Sequence, residues 1–142
     1  MDKNLIANAS VIINAPRKQV WQALVDSKAI QQYMFGAQVV TDWQIGHPIV
    51  WKGEWNGKPY EDKGRILKLE SGRLMQYSHY SPLSGQEDVP ENYHTVTIEI
   101  SGEGNPTTVT LTQDRNESES SRRHSEDNWK MMLEALKKYI ET

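Results

Sequence analysis

Any chemistry in this chain of 142 residues has to come from a short menu of side chains. With no cysteine, a thiol nucleophile, a thiolate metal site and a disulfide are all excluded. The histidines are His47, His79, His94 and His124. None stands four residues from another on a helix, and no His-Glu-x-x-His run occurs, so no metal site is expected. A Gly-x-Ser-x-Gly elbow, a phosphate-cradling glycine loop and a dinucleotide fingerprint are also missing, so no cofactor is expected and no catalytic residue is assigned. His79 is the best candidate for proton work, because imidazole titrates near neutrality and its neighbours, Tyr77 among them, are aromatic. It could polarise a carbonyl or shuttle a proton, or simply donate a hydrogen bond.

The aromatic residues are lopsided: five tryptophans and six tyrosines against one phenylalanine. Indole and phenol carry a polar handle on an apolar body, which suits a wall that is partly wet or faces a ligand. Ile49, Trp51 and Trp55 fall on one face of a strand, and Met75, Tyr77 and His79 on one face of another. Both faces are candidates to line a pocket, and ordinary core packing would use the same residues.

These side chains must be positioned by a recognisable order of elements. Leu5 to Asn14 alternates as a first strand, with Ala9, Val11 and Ile13 on one face. Pro16 fits the first position of a helix carrying Val20, Trp21 and Leu24. Ser27 is placed to cap a second short helix with Ile30, Tyr33 and Met34, which Gly36 would end. Strands are then predicted over 37–41, 48–55, 60–69, 74–81, 94–101 and 107–114, separated by Asn56-Gly57, Ser71-Gly72 and the run 102–106. Val96, Ile98 and Ile100 share a dry face, as do Val109 and Leu111. The run Ile66-Leu67-Lys68-Leu69 leaves the facing of its strand open. Residues 116–121 read as a polar loop or a frayed helix start. From about Arg122, Trp129, Met132, Leu133, Leu136 and Ile140 recur at helical spacing.

Seven strands and one long helix pose a covering problem. A helix is about 10 Å wide, whereas seven strands at ~4.8 Å spacing span more than 30 Å. The sheet has to curl around the helix, and space is expected between them. An enclosed dry void of ~300 Å³ would cost roughly 7 kcal/mol at about 24 cal/mol per Å³, against a typical domain stability of ~5–15 kcal/mol. The pocket should therefore be open to water, filled, or collapsed under its own rings.

This order resembles the helix-grip fold of the START-like (SRPBCC) superfamily, named also for the birch pollen allergen. The stretch Ala15-Pro16 followed by Val20-Trp21 looks like that superfamily's opening signature. Thr41-Asp42-Trp43, Gly46, Pro48-Ile49, Trp51, Gly53 and Gly64, with Trp129 and Leu136 on the closing helix, are similar to the branch related to the activator of heat-shock protein 90 ATPase. The resemblance covers essentially the whole chain. It implies an α+β fold: a curved antiparallel sheet of about seven strands around a long C-terminal helix, with two short helices after the first strand. It also implies a hydrophobic cavity in which relatives bind lipids, hormones or polyketides, and some run cyclisation or dehydration.

The expected organisation is a single domain over 1–142. The formal net charge of −3 gives no reason to expect nucleic-acid binding. No apolar run approaches the ~20 residues of a membrane span, and Met1-Asp2-Lys3-Asn4 lacks a signal-peptide layout, so a cytoplasmic location is expected. The expected function is binding of a small apolar ligand (lipid, polyketide or aromatic) by a non-catalytic protein. Its contacts would be Trp51, Trp55, Tyr77, His79 and Ile98 from the sheet, and Trp129, Met132 and Leu136 from the helix. A cyclase or dehydratase using His79, and a chaperone-interacting protein, are the alternatives; either a monomer or a weak homodimer is compatible. The thirteen residues 81–93 are long for a hairpin loop and are a candidate lid, with Leu83 and Tyr93 packed inward.

Overall fold

A computed structural model of the chain describes residues 5–55, 57–82, 85–102 and 105–142, apart from the Trp55 side chain. In chain order the elements are β1 (Leu5–Ile13), α1 (Arg17–Leu24), α2 (Ser27–Tyr33), β2 (Gln38–Val40), β3 (Pro48–Trp55), β4 (Lys58–Glu70), β5 (Leu74–His79), β6 (His94–Ser101), β7 (Thr107–Asn116) and α3 (Glu119–Glu141). The strands form one seven-stranded sheet in the order β1-β7-β6-β5-β4-β3-β2. Every pairing is antiparallel. The expected α+β helix-grip architecture is what the chain adopts. No helix among the described residues is long and apolar enough to cross a membrane.

Element ends differ from the sequence expectation where a side chain competes for a backbone group. Asp26, not Ser27, caps α2, its carboxylate accepting from the Lys28 N–H at 3.0 Å. An ionised cap is favoured here over a hydroxyl by the helix dipole as well as by geometry. α3 starts at Glu119 rather than near Arg122, because the Ser118 hydroxyl accepts from the Ser121 N–H and Glu119 adds negative charge to the first turn. A polar stretch that reads as loop is thus the helix's own start.

The facing of β4 is settled by a bulge. Ile66 pairs with Tyr77, but Lys68 pairs with Gln76, so the register slips between them. Ile66 is buried, whereas Leu67 is partly exposed. The extra residue breaks simple alternation, which is why the hydrophobic pattern gives no facing there. Before the bulge, Gly64 lies so close to β5 that a Cβ on it would stand 1.7 Å from the Ser78 carbonyl oxygen.

α3 lies along β1 at the edge of the sheet and reaches β7, while α2 packs on β2 and against α3. Leu133 and Leu136 of α3 are fully buried against the inner face, with Val109, Leu111, Val96 and Ile13. Polar side chains of the same helix occupy the open edge of β1. Glu126 Oε2 accepts from the Asn8 N–H at 2.9 Å, and Glu141 Oε2 from the Asn14 N–H at 2.8 Å. Between them Lys137 Nζ donates to the Ile12 carbonyl at 2.8 Å. These groups stand in for the missing neighbouring strand and block the edge as a template for pairing.

Two outcomes follow for stability. Truncating the fully buried Leu136 to alanine should cost about 2–5 kcal/mol, read as a lower urea midpoint. Glu126 and Glu141 are both held below the ordinary value of 4.5, chiefly by the Asn8 and Asn14 N–H groups respectively. Carboxyls whose folded pKa is depressed stabilise the fold above the unfolded value and lose that contribution as pH falls through the folded one. Urea midpoints should therefore drop on acidification below pH 4.5, and a Glu126→Gln/Glu141→Gln variant should start lower at neutral pH and drop less.

Candidate functional site

The inner face of the sheet carries a concavity beside α3. A cavity of about 330 Å³, open to solvent at one side, lies between β3, β4 and β5, the end of α2 and the first half of α3. The sheet contributes Trp51, Tyr60, Asp62, Tyr77 and His79, with Gln113 from β7. The helices contribute Ser125, Asn128, Trp129 and Met132 from α3, and Met34, Phe35 and Ala37 from the end of α2 onward. Depressions of about 620 Å³ beside α1 and β2, and about 720 Å³ on the other face of the sheet, are larger but more open surface concavities.

Strand alternation assembles the aromatic wall. The β3–β4 hairpin pairs Trp55 with Lys58, and the same register sets Trp51 opposite Asp62 and Gly53 opposite Tyr60. A Cβ on Gly53 would stand 2.6 Å from the Tyr60 hydroxyl, so the tyrosine lies across the glycine. Trp51 meets Tyr77 with ring centroids 5.0 Å apart and His79 edge-on at 5.1 Å. Such tilted and edge contacts suit the ring quadrupoles. Burial raises the Tyr77 phenol well above its ordinary pKa, so it remains a neutral hydroxyl. Burial, and secondarily the Asp62 charge, raises that of Tyr60.

The polar end of the cavity is a carboxylate–imidazole pair. His79 Nε2 and Asp62 Oδ2 are 3.0 Å apart, the imidazole N–H donating to the carboxylate. Their side chains are only 23% and 15% exposed, so the pair sits in a partly desolvated wall. Asp62 Oδ1 is buried and has no hydrogen-bond partner among the described residues. Across the cavity Trp129 Nε1 donates to Gln113 Oε1. Asn116 Nδ2 donates to the Gln113 carbonyl at 3.0 Å, and Asn116 Oδ1 accepts from the Ser125 hydroxyl at 2.9 Å, which ties α3 to β7 behind the site.

Phe35 stands at the rim, 70% exposed. Its φ of 58° is in the left-handed region, which costs a residue with a Cβ roughly 1–2 kcal/mol. The cap of α2 continues through Gly36 at φ 91°, and together the two residues turn the chain from helix to β2.

Of the residues singled out by sequence, Trp51, Tyr77, His79, Trp129 and Met132 come together around this cavity. Ile98 and Leu136 do not: both are in the closed core beneath β6 and α3. Trp55 ends β3 opposite Lys58, and its side chain lies outside the described residues. Asp62, Gln113 and Tyr60 are additions. Asp62 was recoverable from the β3–β4 hairpin register, which sets it opposite Trp51 on the ring-rich face.

The segment 81–93 is not placed over the cavity by its described residues. Tyr93 stacks on Tyr80 at 5.3 Å, its hydroxyl donating to Asp88, which also pairs with Lys63. Asp88, Pro90 and Tyr93 border the opposite face of the sheet. The inward packing expected of Tyr93 is therefore corrected: the Lys63–Tyr80 bridge and the Lys63 charge draw the segment outward. Leu83 lies outside the described residues.

A model of the family described as Activator of Hsp90 ATPase homolog 1-like protein matches residues 14–141. The solution structure of ChR145 from Cytophaga hutchinsonii is 55% identical with a TM-score of 0.86, covering 99% of this chain and 97% of that one. The same fold recurs at 19% identity and TM-score 0.74 in the solution structure of the Aha1 dimer from Colwellia psychrerythraea, with 96% of each chain covered. It recurs at 16% identity and TM-score 0.82 in DynU16, from the dynemicin biosynthetic locus, covering 99% of this chain and 48% of that one. No curated protein matches the chain.

The glycines give a contrast that tests the wall. Gly64→Ala forces a Cβ onto a backbone oxygen, so it should destabilise at the upper end for single substitutions, about 3–5 kcal/mol by urea melt. Gly53→Ala meets only the far end of the Tyr60 side chain, so it should leave stability within about 1 kcal/mol while pushing Tyr60 into the cavity.

Proposed function

We propose that this chain, which belongs to the Activator of Hsp90 ATPase homolog 1-like family, is a cytoplasmic protein that binds a small apolar or aromatic molecule in the cavity between β3–β5 and α3. The observation that carries this reading is a cavity of about 330 Å³ walled by Trp51, Tyr77, Trp129 and Met132, with Asp62, His79, Gln113, Ser125 and Asn128 as its polar groups. Ligand sites occupy about 300–1,000 Å³ and combine apolar walls with a few oriented polar groups. Small planar molecules fit this volume, whereas a long acyl chain would have to project through the mouth past Phe35. The origin of DynU16 in a biosynthetic locus agrees with a fold that handles small organic molecules.

His79 and Asp62 favour a second reading, a cyclase- or dehydratase-type enzyme. A histidine held by a carboxylate has its tautomer and orientation fixed, as a general acid or base requires. This reading requires turnover that falls by about 100-fold or more in His79→Ala; unchanged product formation in that variant removes it.

Tryptophan fluorescence titrated with a panel of lipids and polyphenols tests the binding reading. Quenching or a blue shift that saturates at micromolar concentration is expected, and silence across the panel ends it. In Trp51→Leu the affinity for an aromatic member should fall about 2- to 12-fold, the value of one aromatic contact.

A further inference from the structure

Asp62 is out of keeping with its surroundings. It stands on the inner face of β4 between Tyr60 and the bulge, opposite Trp51, where the rest of the sheet buries apolar or aromatic side chains. A carboxylate offers about four acceptor positions across two oxygens. Here His79 uses one, at Oδ2, and Oδ1 has no donor among the described residues. A buried acceptor left unpaired is among the more costly features a fold can retain, more so when it carries charge. The His79 N–H needs an acceptor at this point, but an amide oxygen would supply it, so the packing does not account for the second carboxylate oxygen.

We infer that Asp62 Oδ1 is the hydrogen-bond acceptor for a donor carried by the ligand, so the cavity selects planar aromatic molecules bearing an O–H or N–H over those that lack one. The inference rests on the binding reading above and names its substrate class. Oδ1 is itself buried, so the carboxylate has to turn about its soft, roughly two-fold terminal torsion to present Oδ1 to the cavity that the side chain already lines, with the His79 ring following Oδ2. The ring of the ligand then lies among Trp51, Tyr77 and Trp129, and its donor points toward the sheet. A ligand without a donor buries the carboxylate further and leaves it unpaired. That penalty, rather than any gain in apolar contact, is the source of the discrimination.

Calorimetric titration of the full chain with a matched set of probes tests this: 2-naphthol, 2-methoxynaphthalene and 2-naphthylmethylamine. They share one ring system and differ in the group offered to Asp62. The inference expects 2-naphthol to bind at least about tenfold more tightly than 2-methoxynaphthalene, as for a hydrogen bond to a charged acceptor. It also expects that ratio to fall to within about twofold in Asp62→Leu. Tighter binding of the amine than of the naphthol identifies a cationic N–H donor, and the reverse a neutral O–H; both support the inference. Thermal melts accompany the titrations: Asp62→Leu also takes the acceptor from the His79 N–H and should melt lower, so Asp62→Asn, which keeps an acceptor for His79, is titrated beside it, and its ratio should fall likewise. Equal affinity for naphthol and methoxynaphthalene overturns the inference and leaves the binding reading standing. Failure of all three probes to bind overturns both. An unchanged ratio in a folded Asp62→Leu assigns the selectivity elsewhere and also overturns it.

Discussion

Everything distinctive about this molecule depends on where one helix is fastened. Among the described residues α3 is the only long helix available to cover a sheet of seven strands, and it is tied to the outer edge of that sheet. The carboxylates of Glu126 and Glu141 and the ammonium of Lys137 replace the strand that β1 lacks. A helix so tied cannot also sit over the middle of the sheet. Its apolar stripe fills the angle between β1, β7 and β6, and there the packing is solid: Leu133, Leu136, Val109 and Leu111 have almost no exposure. Toward β3 to β5 the first half of α3 offers Trp129 and Met132 across a gap, which the end of α2 borders. The hollow is the geometric remainder of an edge that had to be protected.

What lines the hollow is different in kind from what fills the core. Beneath β1, β7 and β6 the core is filled by aliphatic side chains such as Ile13, Val96, Val109, Leu111, Leu133 and Leu136. The cavity wall is made of Trp51, Tyr60, Tyr77 and Trp129, large rings whose contacts tolerate an open side. Into this wall the chain sets a carboxylate and an imidazole, held together and partly removed from water. Left-handed Phe35 at the mouth is a second local cost. Unfavourable groups gathered at one place, within a fold otherwise consistent at every level, are what a site for an outside molecule looks like.

Much of this was legible in the chain itself. The order of elements, the seven strands, the terminal helix and the expectation of residual space all follow from periodicity and from the widths of helices and strands. The aromatic wall was readable because Trp51, Tyr77 and His79 alternate cleanly on their strands. Three features resisted. The facing of β4 was hidden by its bulge, which shifts the alternation by one residue between Ile66 and Lys68. Ile98 and Leu136 are indistinguishable by pattern from cavity residues, since depth along the groove depends on where the helix is tied, a tertiary fact. Asp62 sits in the charged run Glu61-Asp62-Lys63, which composition reads as solvated surface; only the register of the β3–β4 hairpin turns it inward.

The packing of Tyr93 and Asp88 onto Tyr80 and Lys63 has a mechanical consequence. It buttresses β4 and β5 from behind, on the face away from the hollow, and Gly64 already draws these strands as close as their backbones allow. The strands beside the hollow are thus backed on their far side by stacked rings and an ion pair, whereas on the opposite side Met34, Phe35 and Ala37 simply join α2 to the short β2.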